Sequence, residues 1–147
     1  MVLTILLSGF LATLIMTGLM MIAKATGMTA LDKPPPLILG QMIFGKGAGG
    51  PAVLTMGLIW HLLNGALLGA VFYYSAAYGV LFNLTIGSAV TFGVLLWLLF
   101  NLIILPLSGQ GFFGSKTKNG LFKTTIMTFM AHVIYGFSLG YLLGVLL

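Results

Sequence analysis

The stretch His61-Leu62-Leu63-Asn64-Gly65-Ala66-Leu67-Leu68-Gly69 decides the fold, because it returns as His132-Val133-Ile134-Tyr135-Gly136-Phe137-Ser138-Leu139-Gly140. Both read His-x3-Gly-x3-Gly, and both sit inside long apolar runs. Residues four apart share one face of a helix. Extended along that face, the first copy gives Gly57, His61, Gly65 and Gly69, and the second gives Thr128, His132, Gly136, Gly140 and Gly144. Small residues at this spacing let a second helix backbone approach closely.

The surroundings of these stretches place them in a membrane. The 147 residues are 60% hydrophobic and only 5% charged, with a mean hydropathy of +1.19. A soluble domain carries about 25% charged residues, so this chain cannot cover a water-facing surface and is read as an integral membrane protein. Four apolar runs are each long enough for the ~20 residues a spanning helix needs. They cover roughly 2–23, 52–76, 84–105 and 121–147. The first has no basic start and no small-residue cleavage signal, and is expected to be retained rather than removed as a signal peptide. Pro51 suits the first turn of the second helix, and Pro106 is expected to stop the third.

The loops repeat as well. Pro36-Leu37-Ile38-Leu39-Gly40-Gln41-Met42-Ile43-Phe44-Gly45 matches Pro106-Leu107-Ser108-Gly109-Gln110-Gly111-Phe112-Phe113-Gly114 with one residue deleted. Their Gly-Gln pairs lie 69 residues apart and the histidines 71, nearly one register. A shorter match pairs Gly9 and Thr13 with Gly87 and Thr91. The expected fold is therefore all-α: an integral membrane four-helix bundle in one domain, 1–147, built as a tandem duplicated helix–loop–helix unit. The repeats cover about 1–77 and 78–147. Each unit has two spans, so both copies point the same way and the pseudo-two-fold axis runs along the membrane normal. His61 then lies about 15 Å and His132 about 16 Å along their helices, near the bilayer midplane.

Charge sets the topology. The net +5 comes from six lysines against Asp32, with neither Arg nor Glu. Lys24, Lys33, Lys46, Lys116, Lys118 and Lys123 fall in the first and third loops or at the helix ends facing them. The positive-inside rule puts these loops in the cytoplasm and both termini outside. Tyr73, Tyr74, Tyr78 and Phe82 form an aromatic belt at the other end. The expected location is the plasma (inner) membrane of a prokaryote, with lipid as the surrounding partner and no nucleic acid.

Composition removes most chemistry. There is no cysteine, which excludes disulfides, thiolate catalysis and Cys-held zinc or iron–sulfur clusters. One acid cannot make a carboxylate pair for acid/base work or a carboxylate proton relay. No enzyme is expected. The histidines admit two uses. In one they are structural, each donating a hydrogen bond across the helix pair to a group such as Asn64, Thr91 or Asn101. In the other they hold a cofactor: two imidazoles at one depth, with Gly65 and Gly136 beside them, suit a bis-His haem b in a four-helix bundle, or a chlorophyll-type pigment. His61 and His132 are metal ligands only in that case, and the haem helices of cytochrome b, with two His each, resemble these in pattern alone. Gly57, Gly69, Gly140 and Gly144 are read as helix-packing positions. Gln41 and Gln110 form a second symmetric pair, expected in interfacial loops with solvated side chains; the alternative is a cytoplasmic vestibule lined by both.

Four spans with this His-Gly signature and with Gly-Gln-x-x-Phe-Gly loops resemble small four-span membrane proteins of bacteria and archaea. The resemblance covers most of the chain and implies the architecture, while transferring no chemistry. Two functions follow from the sequence. One is a small non-catalytic accessory subunit of a larger membrane complex, in respiratory or photosynthetic electron transport, bound to other membrane subunits. The alternative is a small repeat-built transporter or channel whose path is lined by the His pair and the Gln loops.

Overall fold

In the computed structural model, which describes residues 1–28 and 31–147, every regular element is helical. The elements are α1 (Val2–Ala25), α2 (Pro35–Phe44), α3 (Pro51–Ala77), α4 (Ile86–Leu99), a π-helical segment (Phe100–Ile104), α5 (Leu105–Leu107), a 3-10 turn (Phe112–Gly114) and α6 (Gly120–Leu146). Thr29 and Ala30, in the first loop, lie outside the described residues. Four helical stretches are long and apolar enough to cross a membrane: Val2–Ala25, Pro51–Ala77, Ile86–Leu107 and Gly120–Leu146.

The burial pattern is that of a protein surrounded by lipid. Ser8, Thr13, Thr124 and Thr128 are almost fully buried, whereas Leu3, Leu67, Phe122 and Val145 are exposed. Large apolar side chains on the outside and small polar ones at helix contacts are what a bilayer selects, because lipid tails are as apolar as Leu. The buried hydroxyls are satisfied locally: Thr13 donates to the carbonyl of Gly9 at 2.9 Å, and Thr17 to that of Thr13 at 2.7 Å. This is the i−4 back-bond of Ser and Thr in helices.

Glycine contacts pair the helices. A Cβ on Gly9 would strike the Gly65 carbonyl oxygen and come within 3.0 Å of the Gly69 Cα, so α1 lies directly on α3. In the second half a Cβ on Gly136 would strike the Ala89 carbonyl, and one on Gly140 would come 2.9 Å from the Ala89 Cβ, so α4 lies on α6. Gly57 packs under α2, facing the Pro36 carbonyl, and Gly40 faces the Val53 carbonyl. Gly144 is an exception to the expected stripe: nothing lies within 4 Å of where its Cβ would be. The match of Gly9 and Thr13 with Gly87 and Thr91 also fails. Gly87 meets nothing, and Thr91 is exposed. The residues that occupy the equivalent contacts are Ala89 and Gly93. Two residues turn a helix by about 200°, so the sequence match selected the outward face.

α1 also packs on α6. The α3 and α4 helices meet at one end through aromatics, with Phe72 and Phe92 ring centroids 5.5 Å apart. Tyr73, Tyr74 and Tyr78 stack in series at that end. The lysine-bearing loops meet at the other end. Both Asp32 carboxylate oxygens accept from the Lys118 N–H at 3.2 Å, and Lys33 donates to the Ser108 carbonyl at 3.4 Å.

The repeated loop segments adopt different structures. In the first, Pro35 and Pro36 take the opening turn, where a missing N–H costs nothing, and α2 runs on to Phe44. In the second, the third span ends within a residue of Pro106, at Leu107. It reaches the proline through the π-segment, whose closing bond runs from the Leu105 N–H to the Phe100 carbonyl. Proline removes a donor and crowds the carbonyl four residues back, and a π turn absorbs both faults. Gly109 and Gly111 then take φ of +84° and +76°, values that turn the chain instead of continuing a helix.

Candidate functional site

His132 on α6 is fixed from below. Its Nδ1 lies 2.8 Å from the carbonyl oxygen of Thr128, one turn earlier. A carbonyl only accepts, so Nδ1 carries the hydrogen and Nε2 keeps its lone pair. Phe100, displaced by the π-segment, holds the ring from the side at a centroid distance of 5.4 Å. Beneath, the Thr128 hydroxyl accepts from Trp97 Nε1 at 3.1 Å and from Asn101 Nδ2 at 3.4 Å, and itself donates to the Thr124 carbonyl at 2.8 Å. Asn101, fully buried, also donates to the Trp97 carbonyl at 2.8 Å. The network therefore locks α4 to α6 just below the histidine.

His61 on α3 has no such anchor. Its Nε2 is buried and has no hydrogen-bond partner among the described residues. Neither imidazole bonds across a helix pair, so the expectation that both serve as interhelical donors is corrected. His132 bonds its own helix, and two of the groups expected as acceptors are engaged otherwise. Thr91 bonds the Gly87 carbonyl, and Asn101 is engaged with Trp97 and Thr128.

What the two histidines share is space. A cavity of about 200 Å³ lies between α1, α2, α3, the π-segment and α6, with His61, Asn64, His132 and Tyr135 in its wall and Leu96, Leu99 and Ile38 around them. Tyr135 closes part of this wall by donating to the Gly65 carbonyl at 3.1 Å. A small chamber of about 40 Å³ adjoins it, lined by Met16, Met20, His61, Phe100 and His132. A third cavity of about 290 Å³ continues from His61 along Met20, Met21 and Thr55 to Lys24. His61 lines all three, so they gather around that residue between the lysine-bearing end and mid-span.

Gly65 and Gly136 stand beside the histidines and each packs on a neighbouring helix, Gly65 against Thr13 and Gly136 against Ala89 and Val90; Gly65 also lines the cavity, whereas Gly136 does not. Neither glutamine lines these cavities. Gln41 sits on α2 and donates to the Ala48 carbonyl at 2.8 Å. Gln110 is buried rather than solvated, donating to the Ser108 hydroxyl at 3.1 Å while its Oε1 finds no partner. The one-residue deletion and the positive-φ glycines break the helical register that would have made the two equivalent.

A haem does not fit between the histidines. A dry cavity of about 150 Å³ holds benzene, and a macrocycle several times larger has no room in about 200 Å³. No cation lines that cavity to meet propionates. Among the described residues there is also no cluster of three His, Cys, Asp or Glu. Met16, Met20, Phe100 and Tyr135 were not singled out by the sequence reading. Their only signal was position: Met16 and Met20 are four apart, and Tyr135 precedes the glycine of the motif.

No curated protein and no solved structure matches the chain. The sequence profile of a family of unknown function (DUF6789) matches residues 1–147, and the chain belongs to that family.

Proposed function

We propose that this protein is a small repeat-built integral membrane transporter whose solute passes the His61–His132 cavity. The observation that carries the reading is the group of cavities around His61, with Lys24 in the wall of one and His132 in the walls of the other two. Solute sites in repeat-built transporters lie near the midplane where the repeats meet, often beside broken helices. Here the wall combines both halves of the chain with a π-segment. Ionisable residues inside a span are costly and commonly line substrate or ion pathways.

The tandem duplication, with an axis along the membrane normal, is part of this proposal. It is supported by the like packing of α1 on α3 and of α4 on α6 through the glycines of the two motifs. So is the placement in a prokaryotic plasma membrane with the lysine-bearing loops cytoplasmic, supported by the joining of those loops at one end. The accessory-subunit reading rests on chain size and short loops, whereas the cavity gives transport an observation of its own.

The chain has no cysteine, so Asn64→Cys places a single reporter in the cavity wall. In proteoliposomes of defined orientation, a small methanethiosulfonate reagent should label it from either side in turn. Labelling from one side only, or from neither, overturns the transport reading.

A further inference from the structure

We propose that the chamber between Met16, Met20, His61 and His132 is a site for a soft monovalent metal ion, Cu(I). The proposal deepens the transport reading by naming the class of solute, and rests on it only in that respect. The chamber's volume is about 40 Å³. A water's share of the liquid is about 30 Å³, so the space is sized for one ion rather than an organic ligand. Four side chains that line it carry donor atoms without charge: two thioethers and two imidazoles. Met16 and Met20 lie one turn apart on α1 and so share a face.

The donor type selects the metal. Thioether sulfur is soft and binds Cu(I), while imidazole binds copper well; Mg, Ca and Mn prefer carboxylate, carbonyl and water oxygens. No carboxylate lines the chamber. The electrostatic cost of placing an ion in a low-dielectric interior rises with the square of its charge, and buried charges persist only when paired or coordinated. A neutral donor set inside a membrane therefore favours a monovalent ion over Zn(II) or Cu(II). The one charged group along the cavity series, Lys24, is exposed and lies in the wall of the outer cavity, not of the chamber.

One of the two histidines is oriented for the role. Metal-binding imidazoles usually donate their other N–H to a carbonyl or carboxylate, which fixes the ring and its tautomer. His132 does this through Nδ1 to Thr128, leaving the Nε2 lone pair for a ligand bond. His61 presents a buried Nε2 with no partner among the described residues, a state that costs free energy unless something binds there. Methionines as plain core filler would account for Met16 and Met20 but not for that orphaned nitrogen.

The test is titration of the purified full chain in detergent with Cu(I), held reduced by ascorbate, against bicinchoninate as competitor. One Cu(I) per chain is expected, with both nitrogen and sulfur neighbours in the copper X-ray absorption spectrum. Met16→Leu with Met20→Leu, a nearly volume-conserving pair, should weaken binding by more than about 100-fold, since second-shell losses alone cost about 10–100-fold. Selenomethionine-labelled protein should show selenium next to copper without any substitution. Absence of stoichiometric binding, or binding unchanged in the double Leu variant with no selenium neighbour, overturns the proposal. Labelling of Asn64→Cys from both sides without Cu(I) binding would leave transport standing for another solute. Cu(I) binding without such labelling would leave the site standing and remove transport.

Discussion

The phenol of Tyr135 donates a 3.1 Å hydrogen bond to the carbonyl of Gly65, joining α6 to α3 across the two halves of the chain. The same glycine packs against Thr13 of α1, so three helices meet at this point. Tyr135 is 3% exposed, so its hydroxyl has no water to fall back on. Tyr135→Phe should lower stability by roughly 0.6–1.7 kcal/mol, the range for interhelical hydrogen bonds in membranes. Reversible unfolding in mixed detergent micelles reads this directly, and unchanged stability would show that the bond contributes nothing.

Glycine contacts predict a sharper contrast. A Cβ on Gly9 or Gly136 would meet backbone, which cannot rotate away. Gly9→Ala and Gly136→Ala should each cost about 1–3 kcal/mol as overpacking. Gly144→Ala meets nothing and should be neutral or stabilising by up to about 1 kcal/mol, through helix propensity alone. Equal losses at all three positions would contradict the packing described.

These residues also show what the sequence could reveal. The spans were legible because run length and the scarcity of charge need no knowledge of facing. Facing was legible only where His-x3-Gly-x3-Gly marked it. On helices apolar all round, hydrophobic periodicity carries no inward signal, and so Gly87 and Thr91 were matched in place of Ala89 and Gly93. Pro106 marks the end of the third span because its N–H is missing, whereas the π-segment that leads up to it has no local signature. Gln110 was expected in water because it is polar. Its burial depends on Gly109 and Gly111 turning the chain back, which is a tertiary event. The cavity could not be foreseen either, since it depends on α2 and the π-segment arriving at the same place.

Thr128 is the node of the α4–α6 network. Thr128→Val keeps the shape and removes the acceptor of Trp97 Nε1. The stranded indole N–H and the loosened Asn101 should cost about 1–3 kcal/mol, while Thr128→Ser should recover most of it. The only other tryptophan is Trp60, so in a Trp60→Phe background the emission of Trp97 reports the change directly. An identical spectrum in Thr128→Val would mean that the indole bond is not made.

Asp32 holds the two basic loops together through a backbone N–H rather than a lysine ammonium. The contact is exposed, so Asp32→Ala should change global stability by no more than about 0.5 kcal/mol. Its effect should be local: hydrogen exchange at the Lys118 amide should accelerate while the spans keep their protection. Unchanged exchange at that amide would remove the loop contact from the description.

Topology gives the last prediction. Lysines gather at the end where Asp32 meets Lys118, and the aromatic residues of α3 gather at the other. The asymmetry of Lys and Arg between loops, not net charge, sets the orientation of short-looped membrane proteins. Lys118→Cys keeps the backbone N–H that Asp32 accepts from, and Leu81→Cys sits on the exposed turn between α3 and α4. In intact cells a membrane-impermeant maleimide should label the cysteine at position 81 and spare the one at 118, which should react only after lysis. The reverse pattern would invert the chain in the membrane and place the Lys24 end of the cavity series outside the cell.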